Sequence, residues 1–139
     1  MSDREIFRAL NQQLSTFTFT PQPEFAWQPT TYKPTPRQAH CIPIYQPVNR
    51  RPLSTSPIQT RVNIIFRVEC FVDEEQGLDL AYALADGVSQ HFFPVNGMTN
   101  DLLAGTDYLQ INRLPEVTEI APKAGFVGVA SLITAFAII

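Results

Sequence analysis

Residues Arg61–Asp73 alternate in polarity almost without fault. Val62, Ile64, Phe66, Val68, Cys70 and Val72 fall on one side; Arg61, Asn63, Arg67, Glu69 and Asp73 fall on the other, joined by Ile65 and Phe71. A period of two sustained this far predicts a half-buried β-strand. It exceeds the usual strand of roughly five or six residues, so it must bend or project past its neighbours. The acidic run Asp73-Glu74-Glu75 then ends the alternation and, with Asp79, is favourable company for the exposed amides at a helix start. Leu80, Ala81, Leu84, Ala85, Val88 and Phe92 recur at spacings of three and four, with Asp79, Asp86 and Gln90 opposite them, so an amphipathic helix follows. Pro94 limits its end. A strand feeding a helix that lies back on its apolar face seeds a two-layer α+β domain.

The rest of the chain supplies layers to that seed. Its 139 residues suit one domain spanning 1–139, large enough for a core of its own. Apolar residues make up 45% and the formal charge is −3, which excludes a disordered chain and gives no basic field for nucleic-acid binding. Ser2-x-x-Glu5 is a capping-box pattern opening a first helix, with Ile6, Leu10 and Leu14 in line, Phe7 beside them, and an end near Ser15. Thr16–Thr20 alternates, as a short strand or as an anchor for Phe17 and Phe19. Phe25-Ala26-Trp27, bracketed by Pro23 and Pro29, reads as an edge strand. His40–Val48 is apolar but carries Pro43 and Pro47, whose spacing points both missing N–H groups one way, so it too is placed at a sheet edge.

Asn49–Thr60 is expected to be a long loop between the second and third strands, either a plain solvent-exposed hairpin connection or a protruding arm that orders against a partner. The Asn96-Gly97 and Ala104-Gly105 steps mark turns. Tyr108–Leu114 alternates as a strand, broken at Pro115 and continued through Glu116–Ile120 after a bulge or bend. Pro122–Gly125 is a turn, and Phe126–Ile139 is the last strand. Phe126, Gly128, Ala130, Leu132, Phe136 and Ile138 lie on one side of it, with Val127, Val129, Ile133, Ala135 and Ile139 on the other. Both faces are apolar, so both need cover, from helices or from another subunit. The expected fold is therefore α+β: a mixed, mostly antiparallel sheet with two amphipathic helices packed on it.

Little here points to catalysis. His40 and His91 have no metal-ligand spacing, and a zinc site needs three or four convergent ligands. Asp73, Glu74 and Glu75 sit at a strand-to-helix junction, where capping accounts for them. Cys41 and Cys70 have no CxxC partner and are read as reduced core thiols. There is no phosphate loop and no GxSxG elbow, and Ser89 and Ser131 have no base in a recognised arrangement. The expectation is a non-enzyme without cofactor or metal. The start Ser2-Asp3-Arg4-Glu5 has no basic leader, and Phe126–Ile139 falls short of the roughly 20 residues of a spanning helix. A soluble product of the cytoplasm, with no membrane partner, is expected.

Taken together, Ile6–Leu14 (IFRALNQQL), Cys41–Pro47 (CIPIYQP), Val62–Val72 (VNIIFRVECFV) with Gly77–Phe92 (GLDLAYALADGVSQHF), Tyr108–Pro115 (YLQINRLP) and Gly125–Ile139 (GFVGVASLITAFAII) resemble the tail-terminator proteins of long-tailed bacteriophages and prophages. The likeness is one of element order and length, and the chain departs from it in the proline content of 21–57 and in its apolar last strand. The resemblance implies a homohexameric ring seated on the last ring of the tail tube, ending tube growth and offering a head-docking surface. Its partners would be further copies of itself, the tail tube protein and the head-to-tail connector protein, with DNA only in transit, at the tail–head junction of the virion. On that reading the subunit interface falls to Arg67, Glu69, Asp73, Phe126, Val127, Val129, Leu132 and Phe136. The tube-facing loop is Arg50, Arg51, Leu53 and Ile58, and the lumen candidates are Glu74, Glu75 and Asp79. The rival readings are a neck or head-completion ring, a small-molecule-binding or enzymatic domain, and a monomeric adaptor using Pro21–Pro36.

Overall fold

A computed structural model describes residues 3–27, 31–55, 58–93, 109–111 and 114–138. In chain order the elements are α1 (Asp3–Ser15), β1 (Glu24–Phe25), β2 (His40–Thr55), β3 (Ile58–Asp73), a 3-10 turn (Glu74–Gln76), α2 (Gly77–Phe92), β4 (Leu109–Ile111), β5 (Glu116–Lys123) and β6 (Phe126–Ile138). The strands form one sheet ordered β1-β2-β3-β6-β4, and β5 also pairs with β6. Among the described residues only the β1–β2 pairing is parallel. The sheet is thus mixed and mostly antiparallel, with both helices on one face, the expected α+β architecture.

β3 is the spine. It pairs with β2 from Ile58 to Phe71 and with β6 from Arg61 to Asp73. Its alternation decides which face the helices cover: Val62, Ile64, Phe66, Val68, Cys70 and Val72 are all at most 1% exposed. Register carries the same face across β6, since Val62 stands opposite Ala137, Ile64 opposite Ala135, Phe66 opposite Ile133 and Cys70 opposite Val129. Onto this surface α1 lays Ile6, Leu10 and Leu14, and α2 lays Ala81, Leu84, Ala85, Val88 and Phe92. Burying each Leu- or Ile-sized side chain contributes about 1.5–3 kcal/mol. Phe7, expected beside the buried row, is 41% exposed and meets Tyr45 of β2 edge-on at 5.8 Å.

Two polar links pin the helices. Gln13 Nε2 donates to the His91 carbonyl at 3.0 Å, and His91 Nε2 lies 2.7 Å from the Gln13 carbonyl oxygen. This reciprocal pair ties the last turn of α1 to that of α2. Ser89 Oγ lies 2.7 Å from Ser131 Oγ and 3.0 Å from the Ala85 carbonyl, so the buried hydroxyls satisfy one another where α2 crosses β6. Thr16–Thr20 forms no strand; Phe17 and Phe19 stack at 6.1 Å, and the Phe17 ring closes on Gly87.

The segment expected as a long loop is paired chain. Residues 49–55 continue β2 and residues 58–60 begin β3, with Asn49 opposite Asn63, Arg51 opposite Arg61 and Thr55 opposite Ile58. Register shifts lie between Pro47 and Asn49 and between Pro52 and Ser54. Turn-forming prolines suggested a loop, yet on an edge strand a proline costs a ladder bond only if its N–H side faces a neighbour. The carbonyls of Ala39 and Cys41 accept from Glu24 and Ala26, so odd-numbered residues here turn away from β3. Pro43 and Pro47 share that direction. The bulge after Pro47 shifts the parity by one, which turns Pro52 outward as well. Among the described residues β1 covers only His40 and Cys41, so beyond them β2 is the edge, stripped of three donors and blunted against strand addition. Ser2, the turns expected at Asn96-Gly97 and Ala104-Gly105, and Tyr108, Asn112, Arg113 and Ile139 lie outside the described residues.

Gly128 is fixed by its neighbours. A Cβ there would stand 2.8 Å from the Phe71 ring and 2.8 Å from Ile120 Cγ1. Phe71 cannot swing aside, because His40 stacks on it at 5.1 Å. Gly128→Ala is expected to lower stability by roughly 1–3 kcal/mol, read as a lower midpoint in thermal or urea unfolding.

Candidate functional site

Three surfaces emerge from this fold. The first is the arm. β6 stops pairing at Arg61, opposite Ile138, so the ribbon of β2 and β3 beyond that point runs past the rest of the sheet. At about 3.3 Å per residue β3 spans roughly 50 Å from end to end. Arg50, Arg51 and Leu53 are exposed on the arm, Leu53 at 51%. Ile58 belongs to it by pairing with Thr55, while its side chain lies outside the described set.

The second surface is the sheet face turned away from the helices. Arg67 and Glu69 form an ion pair there at 3.0 Å. Opposite them in register stand Leu132 and Ala130. Arg61 lies 3.9 Å above the Phe136 ring, two strands joined by a cation–π contact. Ile42, Ile44 and Ile65 are half-buried on the same face. Four of the residues expected at a subunit interface, Arg67, Glu69, Leu132 and Phe136, therefore share one open face.

The other four do not join them. Val127 and Val129 face the helices, Val129 wholly within the subunit's own core. The alternation of β6 sends odd-numbered residues to that side, so their side chains serve the core. Phe126 is only 8% exposed, edge-on to His40 at 4.8 Å. Asp73 caps the 3-10 turn, its Oδ1 accepting from the Glu75 amide at 3.5 Å.

The third surface is the end of the molecule away from the arm. Glu74, Glu75 and Asp79 are exposed there, on the 3-10 turn and in the first turn of α2. Beside them is a cavity of about 200 Å³ lined by Tyr32, His40, Phe71, Lys123 and Phe126 among others. Burial lowers the pKa of His40, opposed by the Gln38 carbonyl and the Glu24 carboxylate, and the Nδ1 of its buried ring makes no hydrogen bond. Burial, then Glu24, pushes the Tyr32 phenol up to about 12. Sequence reasoning missed this box of rings, because its members come from four separated segments and no local spacing announces it.

Among the described residues no three His, Cys, Asp or Glu side chains gather to hold a metal ion. Cys41 and Cys70 are buried cross-strand neighbours, both free, with sulfurs 3.7 Å apart. The bond from Cys41, with burial next, holds the Cys70 thiol well above its usual range, the reverse of what a nucleophile needs. No described helix is long and apolar enough to cross a membrane.

Comparison with known families places this arrangement. Residues 5–132 match the model of the phage tail terminator protein family. The chain belongs to that family. No curated protein matches it. A tail-terminator-like structural role in the virion and its assembly follows from that membership, and exposed contact surfaces, rather than a cleft, are what such a role calls on.

In this terminator-family chain the buried His40 makes stability depend on pH. Its folded pKa lies below that of the unfolded chain, about 6.5, so the unfolded state takes up the proton first. Stability is then full above pH 6.5 and falls as the pH drops below it. A urea titration series at pH 5 to 8 is expected to show this fall in the wild type, and a shallower one in His40→Gln.

Proposed function

We propose that this protein caps the tail tube as a homohexameric ring, ends tube polymerisation there and presents the surface to which the filled head docks. The family match over 5–132 carries the proposal. It favours the end of the tail over a neck or head-completion position. The geometry supplies the means. Among the described residues the arm is the element that runs past the rest of the sheet, and its exposed Arg51 and Leu53 suit a partner offering carboxylates beside an apolar hollow. On this reading the arm reaches the last ring of tube protein.

The open sheet face supports the same reading. Its half-buried isoleucines, with Leu132 and Phe136, form an apolar field whose charges are already paired or stacked, as in the Arg67–Glu69 bridge. A second chain can close on such a face without stranding an ion. We assign it to contacts within the assembled junction. Glu74, Glu75 and Asp79 would lie toward the channel, where carboxylates repel the phosphates of DNA in transit. The head-to-tail connector would meet the side of the ring opposite the arms.

The arm gives the direct test. A variant in which residues 52–60 are replaced by a two-residue Asn-Gly turn keeps the pair Arg51–Arg61 and every contact with β6. It is expected to fold with wild-type circular dichroism and melt cooperatively, yet leave tube length unregulated when added to polymerising tube protein. Tubes of normal, uniform length with this variant would sink the assignment of the arm.

A further inference from the structure

A ring closes only if each subunit offers two different surfaces that fit one another. Those surfaces must lie on opposite flanks of the subunit, and the strand order gives the flanks: β1 with α1 on one side, β5 with α2 on the other.

The first flank is basic and carries an exposed aromatic. Trp27 is 42% exposed, stacks on Phe25 at 5.1 Å and closes a groove of about 380 Å³ against Arg8, Asn11, Gln12 and Ser15 on the outer side of α1. Arg4 and Arg8 of α1 are exposed here, as is Arg37 beside the Gln38 side chain that donates to the Gln22 carbonyl just before β1. The acidic groups on this side are Glu5, also exposed, and Glu24, held by the Tyr32 hydroxyl at 3.4 Å.

The second flank is acidic and carries an exposed aliphatic. Leu114 is 58% exposed, more than any other large apolar side chain among the described residues. With Pro115, Val117, Phe93, Asp86 and Gln90 it borders a hollow of about 190 Å³ between β5 and α2. Asp86 and Glu119, which stands opposite Val129, are exposed on the helix side of this flank, Glu116, opposite Leu132, is exposed on the other face of β5, and the opposing charge is Lys123 at the far end of the strand.

We propose that successive copies of this chain meet side to side, the Arg8/Trp27 flank of one seated on the Asp86/Leu114 flank of the next. The Trp27 ring lies on the Leu114-Pro115 corner, an apolar contact at the centre of the patch where an aromatic anchor contributes most. Arg8 reaches Asp86, and Arg4 and Arg37 face the Glu116 and Glu119 side, which steers the approach and rejects a like flank. A flank cannot pair with a second copy of itself, so the contact is heterologous and repeats in one sense around a ring. This inference rests on the ring reading above and names the surfaces that build it.

The test uses the full chain with polymerised tail tubes, read by native mass spectrometry, by tube capping and by the emission of Trp27, the single tryptophan. Wild-type assembly is expected to shift that emission to the blue. Arg8→Glu alone sets acid against acid, and Asp86→Arg alone sets base against base. Each is expected to keep its fold, since both side chains are exposed, and to assemble roughly tenfold or more less readily. An equimolar mixture of the two variants is expected to recover assembly and the blue shift, because every contact between unlike copies again joins opposite charges. Variants that assemble as well as wild type, or a mixture no better than its parts, would overturn the side-to-side contact while wild-type capping stood. Wild-type protein that neither assembles nor caps would bring down the ring reading as well.

Discussion

The strict alternation of β3 between two neighbouring strands is the constraint on which the molecule depends. Because each of its residues bonds to β2 or β6 in turn, Val62, Ile64, Phe66, Val68, Cys70 and Val72 are committed together to one face. A slip by one residue would send all six to solvent and bring Arg67 and Glu69 under the helices. Both helices, the Ser89–Ser131 link and the box of rings around His40 take their positions from that register.

The same strand also sets which surfaces the fold leaves exposed. Its pairing with β6 ends at Arg61 while its pairing with β2 continues, and the surplus length becomes the arm. An isolated two-stranded ribbon is marginal in water, so the arm depends on the wide sheet at its root. Pro43, Pro47 and Pro52 then remove the donors along the outer edge of β2. Strand addition, the contact an open sheet edge most readily makes, is thereby suppressed. Along this edge, contact is left to side chains rather than backbone.

Division of labour within the sheet follows from β6. Its odd-numbered residues complete the core and its even-numbered ones lie on the open face, so an apolar strand serves two tasks without a polar side. Near its start that face is already sealed by Phe126, His40 and Phe71, with Gly128 making room for the last. Toward its end Leu132 and Phe136 are only half-covered. One strand thus runs from an interior held by its own chain to a surface suited to another.

The sequence by itself determined the elements whose periods are long and unbroken. The thirteen-residue alternation of 61–73, the three- and four-residue spacing of α2, and the Ile6, Leu10, Leu14 row were legible because each records one face of a regular backbone. The two-sided character of 126–138 was legible for the same reason, but not which side the helices would take. That depends on register against β3, which no local pattern contains. Pro43 and Pro47 fitted an edge strand, but Pro52 read as part of a loop beyond residue 48, since its harmlessness rests on a bulge that resets the direction of that edge. The sorting of the proposed interface residues was likewise decided in three dimensions. Val127 and Val129 went to the core, Asp73 to a cap, and Arg67, Glu69, Leu132 and Phe136 to one open face. The charged groups of the two proposed flanks come from α1, the chain before β2, α2 and β5, separated by more than a hundred positions. Only the folded sheet brings them onto opposite sides of one subunit.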